Sequence, residues 1–166
     1  MIRDPARRGM AVAALFRDAG PRLFDDLVTA GAVPVSADGT LRAQARAEWD
    51  CFALYACVRG LVAAGGFNLE TAAAIDALHE HALAGGTEAG SAPRALFAQR
   101  YAEYGAIGQS GGAAGAVSLT RRLGEAAARH MLGGEPSQPV SDLVGSLHEA
   151  LAEGAAAAAR GEPPRP

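Results

Sequence analysis

The chain has 166 residues, a length suited to one domain with a continuous core, and a formal net charge of −3 with a pI near 5.8. Every basic side chain other than histidine is an arginine, so the lysine chemistry of Schiff bases and P-loops is excluded. No concentrated basic block is present beyond Arg7-Arg8, which argues against nucleic acid as a partner.

Alanine supplies about a quarter of the residues, well above ordinary usage. It is the strongest helix former, because it loses no rotamer freedom, but it buries little area. Aromatic residues are only 5%, so Phe16, Phe24, Trp49, Phe52, Tyr55, Phe67, Phe97, Tyr101 and Tyr104 are expected to mark the packing centres.

The first helical stretch is expected from about Pro5 to Ala30, with a break at Gly20-Pro21, where proline can open a new helical turn. Val12, Leu15, Phe16 and Ala19 form one apolar stripe, and Leu23, Phe24, Leu27 and Val28 a second. Residues 31–39 read as a loop around Pro34 and the pair Asp38-Gly39, with Val33 and Val35 as a short extended piece lacking a strand partner.

Thr40 to about Ala64 is the most apolar element, stopped by Gly65-Gly66. From Cys51 onward it is apolar nearly all round except at Arg59, the pattern of a central helix. Asn68 can cap the next helix, which runs to Gly85-Gly86. Ser91 and Pro93 open another, Arg94 to about Ile107. A glycine-rich stretch leads to a helix from Val117 to Leu132, and the last runs from about Pro139 to Arg160, with Ser141 as a possible cap. The fold class is all-α: a single compact bundle of six or seven helices over residues 1–160, with a disordered tail at 161–166.

Cys51 and Cys57 lie six apart on one helix, which points them to different sides and fits two reduced thiols in a cytoplasmic protein. No apolar run reaches the roughly 18–20 residues that a bilayer requires, so no membrane role is expected. The arginine-bearing N-terminus reads as an amphipathic helix, not a signal peptide.

The candidate site lies on two segments that hold all three tyrosines. Glu48, Tyr55 and Arg59 share a face of the central helix, and Arg100, Glu103 and Tyr104 cluster on a later one. If the helices face each other, Glu48 pairs with Arg100, Arg59 with Glu103, and tyrosine hydroxyls fill the remaining acceptors. The arrangement reads either as a buried polar network or as a pocket gripping a small anionic ligand.

Other signals are weaker. The string Gly108-Gln109-Ser110-Gly111-Gly112 matches the serine-hydrolase pattern but lacks the preceding strand, and Asp142 and His148 would share one helix. The same loop, followed by Arg121 and Arg122, could instead cradle an anion with its backbone N–H groups. Asp76 and His79 have the spacing of a helical metal pair without the second pair such sites need, so neither metal nor cofactor is expected. Leu143, Leu147 and Leu151 form a seam that docks on the bundle or meets a second copy. The leading expectation is a non-catalytic helical protein acting through self-association or contact with another protein. Small anionic-ligand binding is the alternative, and an enzyme ranks below both.

Overall fold

A computed structural model describes residues 2–34, 39–84, 94–110 and 118–162. The described chain is all-helical: α1 Pro5–Thr29, α2 Thr40–Gly65, α3 Leu69–Leu83, α4 Arg94–Gln109, α5 Leu119–Leu132 and α6 Gln138–Arg160. Six helices pack as a bundle around α2, which touches each of the other five. Trp49, Phe52, Leu54 and Leu61 of α2 are fully buried, as the apolar run predicted. No helix among the described residues is long and apolar enough to cross a membrane. Val35, Asp38, Gly85-Gly86, Ser91, Pro93, Gly111 to Val117 and the tail beyond Glu162 lie outside the described residues.

Local chemistry accounts for the helix ends. Asp4 Oδ1 accepts from the N–H of Ala6, and Asn68 Oδ1 from that of Thr71 at 2.9 Å, so each side chain satisfies a donor the helix start leaves open. Gly39, Gly133 and Gly161 hold left-handed φ of +73°, +65° and +75° at helix boundaries, a region open to glycine at little cost. Asn68→Ala should therefore lower stability by about 1 kcal/mol, read as a shifted urea midpoint at unchanged slope.

Alanine and glycine let the helix backbones meet. A Cβ on Gly9 of α1 would lie 2.3 Å from the Ala74 carbonyl oxygen of α3, and one on Gly60 of α2 would lie 2.5 Å from that of Ala152 in α6. Gly124 of α5 and Gly145 of α6 form the tightest crossing, with ideal Cβ positions 2.2 Å from the Ser141 oxygen and 2.5 Å from the Thr120 oxygen.

Three expectations are corrected, and a fourth is met in one of its two forms. The break at Gly20-Pro21 is absent: α1 is continuous with Pro21 inside it. Pro21 withholds only the N–H that would reach the Arg17 carbonyl, and packing holds α1 across it: Phe16, Gly20 and Phe24 are buried, and Trp49 Nε1 donates to the Gly20 carbonyl at 2.8 Å. Ser141 does not cap α6. Ser137 holds that position, and Ser141 is buried with its hydroxyl donating to the Ser137 carbonyl. Phe67 is no packing centre but 94% exposed, because Gly66, at φ +74°, turns the chain out of the bundle. The leucine seam docks on the bundle, the first of its two expected roles. Val144, His148, Leu151 and Ala155 are buried, while Leu143 and Leu147 pack against the core from half-buried positions.

Candidate functional site

The two polar segments meet. Arg100 Nε donates to Glu48 Oε2 at 2.6 Å and Nη2 to Oε1 at 2.7 Å, a two-point pairing with both side chains about 90% buried (10% and 8% exposed). These bonds to Glu48 hold the guanidinium's pKa above its usual value. The third nitrogen, Nη1, lies 3.6 Å from Glu103, and Glu103 in turn faces His130 Nε2 at 2.8 Å. A chain of alternating groups thus runs from α2 through α4 to α5. Glu48, Arg100 and His130 line a polar cleft of about 430 Å³ whose other walls include Gln44, Arg129, Gly133 and Glu135.

The expected Arg59–Glu103 pair does not form. Arg59 Nη1 donates to Glu149 Oε1 at 2.6 Å, and Thr120 Oγ1 donates to the same oxygen at 3.3 Å. The reason is axial rise: Arg59 lies about 16 Å along α2 from Glu48, but Glu103 only about 4.5 Å along α4 from Arg100. Residue 48 faces 100 and residue 55 contacts 104, so α2 and α4 rise together and Arg59 passes beyond Glu103. The side chain that reaches Arg59 comes from α6.

Tyr55 joins the two clusters, its ring 5.4 Å from those of both Tyr101 and Tyr104 and 5.9 Å from that of His148. The tyrosine hydroxyls do not fill the acceptors as expected. Tyr104 is fully buried with its hydroxyl unbonded among the described residues, and burial, reinforced by the charge of Glu48, raises its pKa well above the usual value. Tyr101 instead bonds with His79 Nε2 at 3.1 Å. Burial also lifts the pKa of Tyr55.

His148, which the sequence offered only as a hydrolase partner, joins this site with Glu149 and His130, none of them expected here. Its ring stacks on Phe52 at 4.1 Å between centroids, 1% exposed, and neither nitrogen bonds to a described residue. The Phe52 backbone lies near the ring but falls short of hydrogen-bonding geometry. Burial first, then the charge of Arg59, lowers the His148 pKa from 6.5 to about 3, so the ring is neutral. The available signal was helical spacing, since Val144, His148, Leu151 and Ala155 share one face of α6.

Buried Asp50 accepts from Arg46 Nε at 2.8 Å, yet its other oxygen is unbonded among the described residues, and desolvation raises its pKa to about 7. Cys51 and Cys57 are free and buried, and burial pushes the Cys51 thiol up to about 12, which keeps it un-ionised.

The remaining motifs are occupied otherwise. Arg122 Nη1 donates to the Ser110 hydroxyl and carbonyl, and Arg121 Nε donates to Asp142 at 2.9 Å. With His148 buried against Phe52 and Asp142 held by Arg121, the three hydrolase candidates form no relay. No cluster of metal ligands occurs among the described residues. Set against protein-family models, curated proteins and solved structures, the chain matches none.

A second feature stands apart from this network. At the turn between α2 and α3, Phe67 and Leu69 are 94% and 89% exposed. The turn is tied from both sides: Asn68 Nδ2 donates to the Gly65 carbonyl at 2.7 Å, and buried Arg8 of α1 pairs with Glu70 at 3.3 Å.

Proposed function

We propose that this chain is a non-catalytic, cytoplasmic helical protein that works by contact with other protein chains, with the Phe67–Leu69 corner as its anchor. The observation that carries this reading is the exposure of two large apolar side chains on a tied turn. Covering them yields roughly 2 kcal/mol each, and a turn already held by Asn68 loses little freedom when a partner docks. Anchors of binding surfaces have this character: few, large, apolar and pre-positioned. The two reduced, buried thiols accord with the cytoplasm.

The anionic-ligand alternative draws less support, because its arginines are committed to the chain's own carboxylates. Arg100 is held at two points by Glu48, and Arg59 by Glu149. An incoming anion would have to displace a carboxylate and leave it uncompensated.

The test is in-cell photo-crosslinking from benzoylphenylalanine placed at position 67, with position 153, an exposed site on α6, as control. The expected result is a discrete adduct from 67, absent from 153 and lost with Leu69→Ser. An adduct of twice the chain mass identifies a second copy, and any other discrete mass a different partner. No adduct, or the same smear from both positions, overturns the reading.

A further inference from the structure

A hollow of about 480 Å³ opens between α3 and α4, apart from the Phe67 corner and bordering the aromatic cluster through Tyr101, whose ring packs on Tyr55. Its walls are Leu83, Ala84, Phe97 and Ala98, with His79 and Tyr101 inside and Glu80 exposed at the rim. The volume falls within the range of small-molecule sites, and the lining has their usual composition of apolar walls with few polar groups.

The polar groups of this hollow form one hydrogen-bonded unit. His79 Nε2 and the Tyr101 hydroxyl are 3.1 Å apart, and the Phe97 ring stands edge-on to Tyr101 at 6.4 Å. Burial lowers the His79 pKa, against an opposing pull from Asp76, so the ring favours its neutral form. A neutral imidazole and a phenol together offer one proton and spare lone pairs, which suits a hydroxyl or carbonyl on a guest. Among the described residues no arginine lines the hollow, and the carboxylate at the rim disfavours a negative guest.

We propose that this hollow is a binding site for a neutral, largely apolar small molecule whose single hydroxyl or carbonyl group meets the His79–Tyr101 pair. The site is independent of the protein contacts proposed above, since it shares no residue with the Phe67 corner.

The probe is 2-naphthol, titrated by calorimetry into the intact protein, with 2-naphthoate as the charged counterpart. One saturable site per chain is expected for 2-naphthol, and at least roughly tenfold weaker binding for the carboxylate, which must enter past the like charge of Glu80. Ala98→Trp and, separately, Ala84→Trp place an indole in the hollow from exposed positions, and each is expected to abolish binding while leaving the melting temperature unchanged. Tyr101→Phe is expected to weaken binding about fivefold through loss of the hydroxyl. Absence of saturable 2-naphthol binding overturns the proposal, as does binding that survives either tryptophan substitution in a folded protein.

Discussion

Gly124→Ala is expected to cost about 3 kcal/mol of stability, and Gly124→Val to prevent a folded state altogether. In most helices glycine-to-alanine stabilises by up to about 1 kcal/mol, because it lowers the entropy lost on folding. Here the added carbon would sit 2.2 Å from the Ser141 carbonyl oxygen and 2.7 Å from the Gly145 nitrogen. Both obstacles are backbone of the facing helix, so no rotamer change relieves the clash, and α5 and α6 must separate. Gly105 of α4 provides the control, since a Cβ there meets nothing within 4 Å. Gly105→Ala should raise the urea midpoint by the ordinary helix increment. Opposite signs for the same substitution at the two positions would establish that close backbone approach holds the α5–α6 pair.

The second large effect is acid lability centred on His148. In the folded state its pKa is lowered from 6.5 to about 3, whereas the unfolded chain takes up a proton at the ordinary value. The stability that depends on the neutral ring is therefore complete above pH 6.5 and declines as pH falls toward 3. The loss amounts to roughly 5 kcal/mol when both states are protonated, which rivals the whole stability of a small domain. Asp50 acts in the opposite sense: its raised pKa means that its contribution is full below 3.8 and is lost as pH rises through about 7. Comparing wild type with His148→Leu at each pH cancels the Asp50 term. The variant should gain on wild type steadily between pH 7 and pH 3, measured by urea unfolding. A difference that stays flat across that range would mean that His148 is solvated in the native state.

Much of the architecture was legible in the sequence, for identifiable reasons. The apolar run from Cys51 to Ala64 has no polar face to give to solvent, which marked α2 as central, and glycine or a capping side chain punctuates most helix ends. The Glu48–Arg100 pair could be anticipated because two buried charges need each other. What failed depends on information that local sequence does not carry. Pro21 predicts a break unless the burial of Phe16, Gly20 and Phe24, which holds α1 across it, is known. Arg59 was assigned to Glu103 although eleven residues of rise on α2 outrun three on α4, and that α6 brings Glu149 to it is a property of the packing. Phe67 counted as core by its composition, although a glycine with positive φ turns it outward. On α6 the leucines drew attention from His148, whose spacing with Val144 and Leu151 already placed it on the buried face.

The central claim is that Glu48 and Arg100 form a closed internal pair, not a grip held ready for an anion. A double-mutant cycle by urea unfolding, using Glu48→Leu, Arg100→Met and the two combined, tests this most directly. Each single substitution strands one buried charge and should cost about 3–5 kcal/mol, while the double variant, with both charges gone and apolar volume in their place, should recover most of that loss. Strictly additive losses would contradict the account, since they would mean that the two side chains are held by other groups and are free to serve a ligand.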